Sequence, residues 1–174
     1  MHMIKILGSV MIVIASSWLG FLSAKQLILR VKQLQELQLA FQLLEAEIMY
    51  AATPLPQALK RVGEKINLPI AQLFINCTEI LQENIGVTAD QAWQQAVKEV
   101  RTQTALKLDD QEVLINFGKH LGKSDREHQK KNLQLAQKQL KLAIKDSLAI
   151  KDAKVKQRRY LGVLGGLVVV ILLY

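Results

Sequence analysis

Cysteine is almost absent from this 174-residue chain. Cys77 stands alone, which excludes an internal disulfide, and its neighbours Phe74, Ile75 and Ile80 make it a buried small hydrophobe rather than a reactive thiol. Histidine occurs three times. His120 and His128 fall on opposite sides of an expected helix break, so they do not form the i, i+4 pair of a zinc-binding helix. Aromatic residues make up 5% of the chain. No stacking platform therefore accompanies its basic residues, which disfavours nucleic acid as a partner. No stretch alternates long enough to form a strand, no internal repeat is visible, and no nucleophile motif stands beside a recognisable base. What remains is rich in Gln, Lys, Leu, Ala and Glu, the composition of helices.

Two uncharged apolar runs bound the chain. Residues 6–24 carry no charge over 19 positions, enough at about 1.5 Å per residue to cross a hydrocarbon core of ~30 Å. Residues 160–174 are shorter, and Arg158 and Arg159 can snorkel while a bilayer thins around them. Small residues at Ala15, Ser16, Ser17, Ser23 and Ala24 would suit a cleavable signal peptide. An uncleaved anchor is the preferred expectation, because no polar region separates the run from the helix after it. Lys25, Arg30 and Lys32 follow the first run, and Lys151, Lys154, Lys156, Arg158 and Arg159 precede the second, whereas Lys5 alone is basic outside them. That bias places the middle of the chain in the cytoplasm and both termini across the membrane. The formal charge of +8 belongs mostly to this middle, and its juxtamembrane part suits anionic lipid.

Between the runs the apolar period is helical. Leu27, Leu34, Phe41 and Ile48 repeat every seven residues, joined by Leu37, Leu44 and Ala51, and predict one long helix ending near Ala52, before Pro54. Thr53 and Pro54 suit the start of a second helix, and Asn67 and Pro69 the junction with a third that carries Ile70, Leu73, Phe74, Cys77 and Leu81. Thr88 and Gln91 have the spacing of a capping box for a fourth, with Ala92, Trp93, Ala96, Val97 and Val100 as its apolar face. Asp109 and Glu112 suggest the same device for a fifth, carrying Val113, Leu114, Phe117 and Leu121. A sixth begins at Ser124 and runs on into the second apolar segment. Its Leu133, Ala136, Leu140, Ala143 and Ile150 mark one seam, and Leu135, Leu142 and Ala149 a second beside it.

The expected fold is therefore all-α: a six-helix cytoplasmic bundle whose two long antiparallel helices continue into N- and C-terminal transmembrane segments. The corresponding domains are an N-terminal transmembrane helix over residues 1–24, a cytoplasmic helical bundle over 25–159 and a C-terminal transmembrane segment over 160–174. Ser16, Gly20 and Ala24 on one leg and Gly162 and Gly166 on the other form small faces that allow close helix approach in lipid.

The most polar stretch, "FGKHLGKSDRE" over residues 117–127, is the strongest candidate for chemistry. It reads instead as a helix end and a capped restart. Gly122 suits a left-handed C-terminal position and Gly118 allows close packing one turn earlier. Ser124 and Glu127 form the reciprocal box S-x-x-E, and Asp125 adds negative charge to the first turn. Arg126 is left over, available to fork onto Glu45 or Glu47 or to face a partner. Glu45 and Glu47, two residues apart, point to different faces of their helix. No catalytic residue, cofactor site or metal site is expected.

The stretches "LLEAEIMYAATPLPQAL" (43–59), "AWQQAV" (92–97) and "TALKLDDQEVLINFGKHLGKSDREHQKKN" (104–132), with the short apolar tail, resemble the stage III sporulation protein AB family of endospore-forming bacteria. The family's cytoplasmic domain is similar to those of the inner-membrane platform protein of type II secretion and type IV pilus machines. The resemblance implies a non-enzymatic platform or adaptor of the channel complex joining mother cell and forespore, set in the mother-cell membrane and required for endospore formation. It implies as partners the secretion-type ATPase of the same operon, stage III sporulation protein AA, and other membrane components of the channel. Glu45, Glu47, Tyr50, Asp125, Arg126 and Glu127 match the family's motifs and are candidates for partner binding or structure. Homo-oligomerisation is left open. The rival reading is a membrane-tethered basic domain that binds nucleic acid or anionic lipid.

Overall fold

A computed structural model describes the backbone of residues 2–83, 86–122 and 126–173. Side chains are described within these segments except that of residue 126 and most of those in 2–17 and 155–173. The described residues form six α-helices, a single 3-10 turn and no strand. Helix α1 spans His2–Met49, α2 Leu55–Lys65, α3 Ile70–Glu83, α4 Ala89–Val100, α5 Leu108–Gly118 and α6 Arg126–Leu173. The chain divides into two compact units: residues 32–145, and residues 1–31 with 146–174.

The unit of residues 32–145 is built around a cluster that composition alone would not suggest. Four of the chain's few aromatic residues meet edge to face: Phe41 of α1, Phe74 of α3, Trp93 of α4 and Phe117 of α5. Phe41 and Phe117 lie 4.7 Å apart between centroids, Trp93 and Phe117 5.2 Å, and Phe74 and Trp93 5.4 Å. This is the arrangement that sets the positive edge of one ring on the negative face of the next. Trp93 is fully buried and donates its indole N–H to the Leu114 carbonyl at 2.8 Å, so the one polar atom of the largest core residue is satisfied. Leu34, Leu37, Leu44, Leu59, Ile70, Leu73 and Leu140 of the same unit are also fully buried.

Sequence periodicity locates most of this core. Leu34, Leu37, Phe41, Leu44 and Ile48 of α1 are buried, as are all five expected apolar residues of α4. On α6, Leu133, Ala136 and Leu140 are buried, whereas Leu135 and Leu142 are 56% and 57% exposed. The expected second seam is thus on the far side of the helix. Each of its residues follows a buried one by two positions, about 200° around an α-helix, and Ile144 joins the buried seam in its place. Gln134 and Gln137 of α6 reach Glu45, and Gln137 also reaches the Phe41 carbonyl, so α1 and α6 run antiparallel where they meet in this unit.

Two helix starts differ from expectation. Helix α2 begins at Leu55, with Pro56 in its first turn, and Thr53 does not cap it. Helix α5 begins at Leu108, where Asp110 rather than Glu112 reaches back, accepting the Lys107 N–H at 2.8 Å. Asp110 is 2% exposed whereas Asp109 is open to solvent: with Lys107 rather than Asp109 before the first turn, Asp110 takes the third position, from which a side chain reaches back. At α4 the expected box of Thr88 and Gln91 is present: the Gln91 side chain accepts the Thr88 N–H at 3.1 Å, and the Thr88 hydroxyl also donates to Asp90.

Cys77 is buried and its thiol pKa is pushed up to about 12 by burial. The native full-length chain, solubilised in neutral detergent, is expected to resist alkylation by iodoacetamide at about pH 8 and to react on unfolding in guanidinium. Mass spectrometry of the trapped thiol reads the outcome.

In the unit of residues 1–31 and 146–174, Ala24 and Ser147 are buried, while Met11, Ile14, Trp18 and Leu19 stand 60–67% exposed. Among the described residues no helix is long and apolar enough to cross a membrane. Much of both expected spans, including the small residues Ser16, Gly162 and Gly166 and the flanking Arg158 and Arg159, falls where side chains lie outside the described residues.

Candidate functional site

The motif residues on α1 take up two different tasks because α1 has neighbours on two sides. Glu45 accepts hydrogen bonds from the side-chain amides of Gln137 at 2.8 Å and Gln134 at 3.3 Å, which ties α1 to α6. Glu47, two residues on and about 200° further round the helix, faces α2 instead. Its carboxylate accepts from Arg61 at 2.8 Å and from the Thr53 hydroxyl at 2.9 Å, with Lys65 at 3.4 Å.

This Glu47 cluster closes the reversal between α1 and α2. The backbone leaves α1 through Tyr50 and Ala51, whose amides both bond the Ala46 carbonyl, and Ala52 adopts the left-handed conformation at φ 51°. The Thr53 amide then bonds the Glu47 carbonyl at 3.0 Å, which brings the Thr53 hydroxyl onto the Glu47 carboxylate. Thr53 thus spends its hydroxyl on the end of the preceding helix and not on the start of the next. Arg61, Thr53 and Lys65 lie 14, 6 and 18 residues from Glu47, separations that no local motif links.

The Arg61 guanidinium, followed by the Thr53 hydroxyl, lowers the Glu47 pKa below its ordinary 4.5, outweighing desolvation. A depressed folded-state value contributes stability above the unfolded pKa and loses it as pH falls through the folded one. Glu47→Gln in the full chain is therefore expected to be less stable than wild type at about pH 7, with the gap narrowing towards about pH 3. Urea melts at the two pH values measure this, and a pH-independent gap would remove the charge from the explanation. Arg61 and Lys65 are more than half exposed, so solvent screening keeps the effect modest.

Tyr50, the last residue of the same motif, contrasts with both glutamates. It stands 86% exposed just beyond the end of α1. Glu127 is exposed near the start of α6 and meets Lys131 at 3.6 Å, one turn along. Asp125 lies outside the described residues, as do Ser124 and the side chain of Arg126, so the expected box and the fork onto Glu45 or Glu47 fall there too. Gly122 does take the left-handed conformation, at φ 76°, and Gly118 packs against Trp93.

Among the described residues no group of three or more His, Cys, Asp or Glu side chains could hold a metal. Gly122, Lys123 and Ser124 have the ending of a phosphate-binding loop, but such a loop needs a strand before it and a glycine five residues upstream. Here α5 precedes it, and Gly118 is four residues upstream. A groove of about 330 Å³ between α5 and α6 is lined by Asn116, Lys119, His120, Asn132 and Gln139 with apolar neighbours. Among the described residues that line it there is no carboxylate, hydroxyl or thiol, so Lys119 and His120 meet no carboxylate there to act as an acid–base partner.

Comparison with known proteins identifies a family. Residues 5–174 match the family model described as stage III sporulation protein AB. Over 171 residues the chain is 37% identical to the stage III sporulation protein AB of Bacillus subtilis (strain 168), covering 98% of this chain and 99% of that protein. A solved structure of a stage III sporulation protein AB superposes with a TM-score of 0.68 at 34% identity, over 72% of this chain and 98% of that one.

Proposed function

The chain belongs to the stage III sporulation protein AB family, and from that premise we propose that it is a non-enzymatic membrane platform of the sporulation channel between mother cell and forespore. In this reading the helical bundle docks the secretion-type ATPase of the same operon, and the two apolar ends anchor it in the mother-cell membrane. The family takes its name from a developmental stage and not from a reaction.

The observation that carries the reading is the division of labour within one motif. Glu45 and Glu47 are consumed by contacts between helices, while Tyr50 is held out almost fully to solvent at a turn that those contacts brace. A large, rigid aromatic side chain on a braced turn is the residue type that dominates protein interfaces. The exposed Met11, Ile14, Trp18 and Leu19 support the anchor, since a row of large apolar side chains is stable where lipid or another chain covers it.

Co-purification from detergent-solubilised membranes of sporulating cells tests the proposal. The ATPase is expected to stay with the wild-type chain and to fall by about tenfold with Tyr50→Ala. Absence of the ATPase from the wild-type complex, while other channel components are retained, overturns it.

A further inference from the structure

The back of α6 carries a surface that the bundle does not use. Leu135 and Leu142, seven residues apart, are both more than half exposed, on the side of the helix opposite the buried Leu133, Ala136 and Leu140. Lys131, Lys138 and Lys145 repeat at the same interval and flank them, all exposed. Lys131 meets Glu127 of its own helix at 3.6 Å. Leu135 also forms part of the rim of the groove between α5 and α6.

Charge is distributed unevenly around this surface. Residues 126–145 hold six basic side chains against one acidic, whereas residues 32–122 hold eight against eleven. The leucine row therefore lies on a basic strip of a unit that is elsewhere slightly acidic. We propose that this face, Lys131, Leu135, Lys138, Leu142 and Lys145, docks an acidic amphipathic helix of a partner protein. Apolar residues of that helix, spaced by seven, cover Leu135 and Leu142, while flanking Asp or Glu meet the lysine row. The proposal goes beyond the reading above and uses neither Tyr50 nor the identity of the ATPase.

Two other occupants fit less well. A second copy packed antiparallel would set lysine row against lysine row, and one packed parallel would still lay a second basic strip along the first, which like-charge repulsion disfavours. A lipid surface is covered by helices with a broad apolar face. This stripe is a single row of leucines bordered by Gln134, Gln139 and Lys138, the narrow seam that one partner helix fills.

Full-length protein in neutral detergent can be titrated with three probes. One is a fluorescent helical peptide with leucine every seven residues flanked by glutamate; another is the same peptide with lysine for glutamate; the third is phosphatidylserine in mixed micelles of the same detergent. Wild type is expected to bind the acidic peptide about tenfold more tightly than the basic one, with affinity falling as salt rises. Lys138→Glu/Lys145→Glu should invert that preference, and Leu135→Gln/Leu142→Gln should weaken acidic-peptide binding about tenfold. Circular dichroism and melting should be unchanged in both, since these side chains are exposed. Equal or undetectable binding of the two peptides by wild type overturns the proposal. So does preferential binding to the phosphatidylserine micelles abolished by the same substitutions, or self-association in sedimentation that they abolish.

Discussion

Trp93→Ala is expected to cost about 3–5 kcal/mol, a large share of the ~5–15 kcal/mol that separates folded from unfolded in a typical domain. Trp93 is fully buried and touches three other aromatic rings from three different helices. Removing it vacates the centre of the cluster, forfeits the edge-to-face contacts and takes away the donor at the Leu114 carbonyl. A neighbouring side chain cannot swing in to fill the space, because Phe41, Phe74 and Phe117 are each held by their own helix. Guanidinium melts of the full chain in neutral detergent, followed by circular dichroism, measure the loss. Trp93→Phe should cost clearly less, since a ring remains to meet Phe117 and Phe74 while the indole donor is gone. Equal destabilisation by alanine and phenylalanine would mean that the hydrogen bond, and not the packing, is what α4 contributes.

Gly118→Ala sets two effects against each other. Helix propensity alone favours alanine within a helix by roughly 0.5–1 kcal/mol. A Cβ at this position, however, would overlap the Trp93 ring, which is buried and hemmed in by other rings. Overpacking of this kind costs about 1–3 kcal/mol, so the net expectation is destabilisation. The same substitution in the Trp93→Ala background should lose its penalty and reveal the propensity gain. A double-mutant cycle of the four proteins isolates that coupling, and strict additivity would show that Gly118 does not sense Trp93.

These two positions also mark where sequence reasoning succeeds and where it stops. The apolar face of α4 was legible down to each residue, because a surface helix must turn its apolar side chains to one side every 3.6 residues. Close packing at Gly118 and the left-handed turn at Gly122 were legible too, since glycine has few other reasons to recur beside a helix end. That Glu45 and Glu47 face different neighbours followed from their spacing. Which neighbours they face did not. Arg61, Thr53 and Gln137 reach them across 6 to 92 residues of chain, and a separation of that kind leaves no local signature.

The second seam of α6 shows the limit from the other direction. Leu135 and Leu142 repeat as faithfully as Leu133 and Leu140, so periodicity marks both rows as apolar and ranks neither. Only the packing of α6 against its neighbours decides which row is covered. The start of α5 behaves alike: the spacing of Asp109 and Glu112 offers one capped start, and the helix instead begins two residues earlier, at Leu108, with Asp110 reaching back to Lys107.

By itself, then, the sequence determined the helical class, the number and approximate ends of the helices, and the family. These depend on composition, on period and on the backbone restrictions of proline and glycine, all of which act within a few residues. Tertiary structure alone decided that four scarce aromatic residues would form one centre, that Glu47 would brace the turn presenting Tyr50, and that one leucine row of α6 would remain outside. Those outcomes depend on which surfaces meet when distant segments fold together, and burial, which selects among locally equivalent side chains, exists only once they have met.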